Sequence, residues 1–235
     1  MSSPAYPYEE NIYTLYSNAN CPFAQRALRA FYIAQVPHKV IEIDLTNKPD
    51  WYHLVNPQLK VPALRTPSGT ILIESLVLSE FAADQFPDSH LLPSDATERA
   101  QLRLFVEIFS SRIIPNIFGS LRGTNAKEIE EKKAALLAGL KEVNGELVKQ
   151  WERIGGDGAL WLGDKVSLAE VNTVSFYNLL VAVEHHRGFA VPDTDEFAAL
   201  HRWAAAFTKL PAYTEFKVDD DQAINKMKKF VPEAN

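Results

Sequence analysis

Cys21 lies within the stretch YSNANCPFAQRALRA (residues 16–30), and it is the only cysteine in 235 residues. The residues before it favour a strand, and those after it repeat apolar side chains at helical spacing. Pro22 then falls in the first turn of a helix, where the missing N–H of proline costs nothing. The N–H groups and the dipole at a helix N-terminus favour a thiolate. The position therefore predicts a reactive cysteine, although most lone cysteines are buried packing residues.

The residues around Cys21 limit the chemistry that its sulfur can perform. The motif is Cys-Pro-Phe-Ala, with no second cysteine three positions on, so no neighbouring thiol can resolve a mixed disulfide. Thiol–disulfide exchange through one cysteine needs a second thiol from solution, and glutathione is the obvious candidate. A cysteine–histidine pair with His38 or His53 is the alternative, but nothing in the sequence fixes either histidine against Cys21.

Composition narrows the classes of partner. Lys and Arg total 24 and Asp and Glu total 30, giving a net charge of −6, which argues against a nucleic-acid-binding surface. A single cysteine excludes an internal disulfide. The first residues, MSSPAYPYEEN, lack the features of a secretory signal, and the last residues, VPEAN, are not a recognisable targeting signal. No apolar run approaches membrane-spanning length. We therefore expect a soluble cytosolic protein without a membrane partner.

The sequence pattern changes near residue 87. Before that point, strand-like runs alternate with helical spacing in the order β-α-β, a linking segment, then β-β-α. This order predicts a small α/β domain over residues 1–86. Residues 87–96 are rich in Pro, Asp and Ser, which predicts a linker. The predicted strands are 12–16, 38–43, 61–66 and 70–73, and the predicted helices are 22–35 and 75–86.

Residues 97–235 predict an all-helical domain. A helix over 98–122 should be kinked by Pro115, and the double glycine after residue 154 should end the next one. The segment VSLAEV predicts a capping box in which Ser167 caps a helix and Glu170 reaches back. The predicted helices are 98–122, 126–154, 167 to about 185, 196–209 and 220–230.

Five motifs, in this order and spacing, resemble the glutathione transferases, and within them the Omega class and its fungal Omega-like relatives. The resemblance covers nearly the whole chain. It implies an N-terminal thioredoxin-like domain and an all-helical domain that completes a hydrophobic second-substrate site. One motif departs from the Omega pattern, because Gln58 and Leu59 stand where Omega members have an aromatic residue and a glycine. The motifs are CPFAQR at 21–26, NKPDW at 47–51, NPQLKVPAL at 56–64, ES at 74–75 and SLAEV at 167–171.

The resemblance implies a glutathione site. Cys21 resembles the catalytic cysteine that forms a mixed disulfide with glutathione, and Lys48 resembles the lysine that meets the glycine carboxylate. Glu74 and Ser75 resemble the pair that holds the γ-glutamyl end, with Ser75 at a helix N-terminus that favours an anion. The peptide bond before Pro62 resembles the family's cis bond. The implied glutathione-binding residues are Phe23, Lys48, Val61, Pro62, Glu74 and Ser75.

Further residues are candidates for a second-substrate pocket between the two domains. The resemblance supports Phe23 and Trp203, whereas Pro115 and Phe118 follow from the expected kink. Ordinary core packing is the alternative for each aromatic residue. The resemblance also implies a homodimer. No metal is expected, because the His185-His186 pair would need further ligands and none is evident.

Two residues rival Cys21 as the nucleophile within this family. Tyr16 could serve as a tyrosine nucleophile and Ser17 as a serine nucleophile. However, Tyr16 is interpreted as the end of a strand, and a serine-type nucleophile would fall near Ala19, which has no hydroxyl.

The sequence thus leads to one main hypothesis and two alternatives. The main hypothesis is a thiol transferase that removes glutathionyl groups from a disulfide or small hydrophobic electrophile through Cys21, with reduction of dehydroascorbate or glutathionyl-ketones as related reactions. The first alternative is a non-catalytic ligand carrier or partner-binding module. The second is an enzyme that conjugates glutathione to an electrophile.

Overall fold

The computed structural model describes residues 5–232 and divides the chain into two compact units. The first unit ends at Leu92 and the second begins at Pro93, a boundary inside the predicted linker. Residues 1–4 and 233–235 lie outside the described residues. They belong to the two terminal segments in which we expected neither a secretory signal nor a C-terminal targeting signal.

The first unit has the predicted order of strands and helices. A 3-10 turn, Asp50–Leu54, occupies the linking segment between the second and third strands. The elements are β1 Tyr13–Ser17, α1 Pro22–Ile33, β2 His38–Glu42, β3 Ala63–Arg65, β4 Ile71–Ile73 and α2 Ser75–Gln85.

These strands form one mixed sheet in the order β2-β1-β3-β4. β1 pairs in parallel with β2 and antiparallel with β3, and β3 and β4 form an antiparallel pair. Four of the five β1 residues are buried, as expected for a strand paired on both sides. The predicted thioredoxin-like fold of this unit is confirmed.

A cluster of buried residues fixes the strands against the segment that follows β2. Tyr16, Ile43 and Tyr52 have no exposed surface and pack together with Val55 and Ala63. The ring of Tyr16 lies 6.2 Å from that of Tyr52, between ring centroids. This cluster holds the end of β1, and with it the loop that carries Cys21, in a defined position.

The second unit is helical, as predicted. Asn125 caps the longest helix by accepting a hydrogen bond from Glu128 N, and Gly155, with φ +68°, ends it. The helices are α3 Ala96–Ile108, α4 Ile114–Arg122, α5 Ala126–Ile154, α6 Leu168–Tyr177, α7 Leu180–Arg187, α8 Ala198–Phe207, α9 Pro211–Thr214 and α10 Asp220–Met227.

Two helical predictions need correction. The sequence predicted a kink at Pro115, but the helix is irregular one turn earlier, where Phe109–Ile113 form a π-helical turn. The reason is that a proline removes a hydrogen bond from the preceding turn and crowds that turn. The helix expected over 167–185 is divided at Asn178, whose side-chain oxygen accepts a hydrogen bond from Tyr213 Oη at 3.2 Å. The short helix α9 was not predicted.

The predicted capping box at the start of α6 is confirmed. Ser167 Oγ accepts a hydrogen bond from Ala169 N at 3.2 Å, and Glu170 Oε2 accepts one from Ser167 N at 3.0 Å. The other carboxylate oxygen, Oε1, accepts from Trp161 N at 2.7 Å and from Trp203 Nε1 at 2.9 Å. Burial raises the pKa of Glu170, and its hydrogen bonds oppose that rise. One carboxylate therefore connects three segments of the helical unit.

The helical stretch Ala96–Arg122 is long and apolar enough to cross a bilayer by length and composition alone, which the sequence analysis did not anticipate. This is weak evidence for a membrane span, because a core helix of a soluble protein meets the same criterion. Leu102, Phe105 and Phe109 of this stretch are buried.

Candidate active site

Cys21 is the residue immediately before α1, with extended backbone angles (φ −88°, ψ 120°), and Pro22 is the first helical residue. The backbone N–H of Cys21 donates a hydrogen bond to Asn18 O at 2.9 Å, and the carbonyl of Cys21 accepts one from Gln25 N at 3.0 Å. The side chain is partly exposed. The structure therefore places the thiol where the sequence predicted it, at the positive end of a helix.

The loop that carries Cys21 is tied to the end of β2 by polar contacts. Asn18 Nδ2 donates to Ile43 O at 2.9 Å, and Ala19 N donates to Glu42 Oε1 at 3.1 Å. Gln25 Nε2, from the first turns of α1, donates to Ala19 O at 2.8 Å. These contacts fix the loop at both of its ends, so the thiol is held by the sheet as well as by the helix.

A tight turn precedes β3 on the other side of the site. Tyr52 Oη and Asn56 Nδ2 both donate to Lys60 O, at 2.7 and 2.8 Å. The next peptide bond, Val61-Pro62, is cis, as the resemblance implied. Val61 and Pro62 are both buried.

The start of α2 brings a carboxylate and a hydroxyl into the site. Glu74 is the residue before the helix, with φ +76°, and Ser75 is the first helical residue, at the helix N-terminus as the resemblance implied. Ser75 Oγ accepts a hydrogen bond from Arg26 Nη1 at 3.3 Å. Arg26 is 3% exposed, and burial lowers its pKa to about 9, so it remains a cation at neutral pH.

One cavity of about 420 Å³ in the first unit collects these residues. Cys21 and all six residues implied for glutathione binding line it. Four further lining residues were not predicted. Asn56 and Lys60 were quoted only as letters of a motif, Leu59 was named only as a departure from the Omega pattern, and Leu45 gave no signal in the sequence. The lining residues are Cys21, Phe23, Leu45, Lys48, Asn56, Leu59, Lys60, Val61, Pro62, Glu74 and Ser75.

The two rival nucleophiles are unsuited to the role. Tyr16 has no exposed surface, its hydroxyl donates to Pro7 O at 2.7 Å, and burial raises its pKa well above the ordinary range. Ser17 also has no exposed surface. Neither residue lines the cavity, whereas Cys21 does.

The remaining second-substrate candidates lie in the helical unit. Trp203 is fully buried, and its indole N–H donates a hydrogen bond to the Glu170 carboxylate, so in this conformation Trp203 is a core residue. Phe118 packs edge-on against Phe230, and Pro115 is exposed in the first turn of α4. A pocket formed by these residues and Phe23 stays a prediction. Within residues 5–232, no group of three His, Cys, Asp or Glu side chains could hold a metal ion.

Comparison with known proteins agrees with this geometry. Residues 15–90, which include all of the cavity's lining residues, match the family model described as glutathione S-transferase, N-terminal domain. A curated relative, glutathione S-transferase omega-1 of Sus scrofa, is 28% identical over 228 residues, which span 96% of this chain and 90% of the relative. The N-terminal part of the chain is a glutathione S-transferase N-terminal domain, and the chain as a whole is similar to Omega-class glutathione transferases. Its enzyme class is therefore that of the glutathione transferases, whose co-substrate is glutathione.

Solved structures of this family give the same assignment. Glutathione transferase Omega 1C from Trametes versicolor superposes with a TM-score of 0.74 at 28% identity, over 95% of this chain and 99% of that one. The dehydroascorbate reductase of Chlamydomonas reinhardtii superposes with a TM-score of 0.77 at 25% identity, over 95% of this chain and 100% of that one. The Omega-class resemblance inferred from the motifs is thus confirmed.

Proposed function

We propose that this glutathione transferase is a thiol transferase that works through a mixed disulfide at Cys21. The observation that carries the proposal is the position of Cys21 at the N-terminus of α1, inside the cavity that also holds Lys48, Glu74 and Ser75. A helix N-terminus stabilises a thiolate, and the thiolate is the form of cysteine that attacks disulfides.

The reaction balances as two exchanges. The Cys21 thiolate attacks the glutathionyl sulfur of a mixed disulfide, so a bond forms between Cys21 and glutathione while the other thiol leaves as a thiolate and takes a proton from water. A second glutathione thiolate then attacks the glutathionyl sulfur on Cys21, which releases oxidised glutathione and restores the Cys21 thiolate. The net reaction turns the mixed disulfide and one free glutathione into the free thiol and oxidised glutathione, because the other glutathionyl group of the product comes from the substrate.

Charged and polar groups of the cavity match the ends of glutathione. Lys48 offers a cation to the glycine carboxylate; its ammonium also donates to Leu45 O at 3.2 Å. Ser75 and the start of α2 suit the γ-glutamyl carboxylate, and Glu74 suits the neighbouring ammonium. Arg26 supports this end from inside the protein, because it donates to Ser75 Oγ and leaves the serine proton available to the ligand.

Related reactions and two alternatives follow from the same cavity. Reduction of dehydroascorbate or of glutathionyl-ketones would use the same thiolate, and a solved neighbour is a dehydroascorbate reductase. Conjugation would need a donor to the glutathione thiolate instead of a protein thiolate at that position. A non-catalytic ligand carrier would not need the combination of Cys21, Lys48, Glu74 and Ser75 in one cavity. A homodimer in the cytosol remains part of the proposal.

Steady-state kinetics test the proposal. We expect parallel double-reciprocal lines when glutathione and a glutathionylated peptide are varied together, because a covalent intermediate separates the two half-reactions. The rate of oxidised glutathione formation, coupled to glutathione reductase, provides the measurement. Lines that intersect would show that both substrates must be bound at once, which favours the conjugation alternative.

A further inference from the structure

Leu59 has a backbone conformation that its side chain does not favour. Its φ is +54°, in the left-handed region, which glycine occupies readily and which is uncommon for a bulky residue. Strained residues of this kind persist only when the surrounding structure fixes them, and they concentrate at functional sites. The conformation therefore raises the question of what the leucine contributes.

The hydrogen bonds that fix the backbone of this turn do not involve the leucine side chain. Leu59 N donates to Asn56 O at 2.8 Å, and Gln58 N donates to Asn56 Oδ1 at 3.0 Å. Lys60 O accepts hydrogen bonds from Tyr52 and Asn56. All of these contacts use the backbone of the turn or side chains of other residues, so glycine at position 59 would satisfy them equally well.

The leucine side chain is exposed on a surface where an apolar group has a use. It is 40% exposed and lines the same cavity as Cys21. Phe23, 39% exposed, and Leu45 line that cavity too, so three apolar side chains from three separate segments face a site that also holds charged groups. Ligand cavities commonly combine an apolar wall with a few polar groups that fix orientation.

We propose that Leu59 is a specificity-determining residue that favours substrates in which an apolar group is joined to glutathione through the disulfide. This inference depends on the proposed thiol-transferase function. Lys48, Glu74 and Ser75 offer contacts to the ionic ends of glutathione, whereas an exposed leucine offers nothing to those charges. Its apolar surface suits the thiol that leaves when Cys21 attacks.

The test compares two mixed disulfides of glutathione, one with benzyl mercaptan and one with cysteine. Leu59→Gly should lower kcat/KM for the benzyl compound about tenfold, the size expected for loss of an apolar contact, and change that for the cysteine compound less than twofold. The melting temperature should not fall, because glycine adopts a positive φ without steric cost. Leu59→Met, which keeps an apolar side chain, should retain the wild-type preference.

Three results would overturn the inference. These are an equal loss for both disulfides, no change for either, or a lower melting temperature in Leu59→Gly, which would make Leu59 a packing residue. Failure of the proposed function is a separate outcome, because the wild-type protein would then turn over neither disulfide.

Discussion

Replacing Cys21 with serine should reduce glutathionyl transfer from a mixed disulfide by roughly 10³-fold or more, because the nucleophile of the first exchange is lost. A serine hydroxyl is a poor nucleophile toward a disulfide. The coupled assay with glutathione reductase measures the loss, with glutathione and the mixed disulfide both at saturation.

The serine variant should remain folded. Cys21 is the residue before α1, and serine is among the most favoured residues at that position because its oxygen can accept a hydrogen bond from the first turn. Its melting temperature should therefore equal or exceed that of the wild-type protein. A loss of activity without a loss of stability separates a chemical role of Cys21 from a structural one.

The same variant also discriminates between the reactions. A hydroxyl at position 21 can donate a hydrogen bond to the thiolate of bound glutathione, so conjugation to an aromatic halide should rise while thiol transfer disappears. Tyr16→Phe is the matched control for the rival nucleophile. It should keep thiol-transferase activity, because Tyr16 is buried and its hydroxyl donates a hydrogen bond to Pro7 O. Retained thiol transfer in Cys21→Ser would contradict the proposed mechanism.

Replacing Glu170 with alanine should lower the free energy of unfolding by at least about 3 kcal/mol, since it leaves buried donors without an acceptor. The donors to this carboxylate are Trp161 N, Ser167 N, Ser167 Oγ and Trp203 Nε1. Such a loss is a large part of the stability of an ordinary domain. Urea denaturation followed by tryptophan fluorescence measures it.

Glu128→Ala is the matched control for this experiment. Glu128 holds a comparable place in the first turn of α5 and accepts hydrogen bonds from Thr124 N and Thr124 Oγ1, but it is exposed to solvent. Water can replace the carboxylate there, so the stability loss should be much smaller. Equal losses in the two variants would show that helix capping, and not the buried network around Glu170, accounts for the effect.

The sequence predicted those parts of the structure that local signals determine. The bounds of α5, Ala126–Ile154, match the prediction, and the double glycine that begins at Gly155 marked its end in the sequence. The division between α6 and α7 could not be predicted, since it coincides with a hydrogen bond between Asn178 and Tyr213, 35 residues apart. A contact of that separation leaves no periodic signal.

The cavity shows the same distinction between local and long-range information. Motifs identified Cys21 and the implied glutathione-binding residues, and the structure brings them together. The support that Arg26 gives to Ser75 was not predicted, because it joins α1 to α2 across 49 positions. The left-handed backbone of Leu59 was not predicted either; the glycine that Omega members have at this position was the one signal for it, and this sequence has leucine there.

The central claim is that Cys21 carries the glutathionyl group between substrate and product. The most direct test is the intact mass of the protein after incubation with oxidised glutathione. We expect one glutathionyl adduct, located on Cys21 by peptide mapping and removed by reduced glutathione, because these are the two half-reactions of the proposed cycle. Binding of glutathione without any adduct on Cys21 would contradict the account and leave conjugation or ligand carriage as the function.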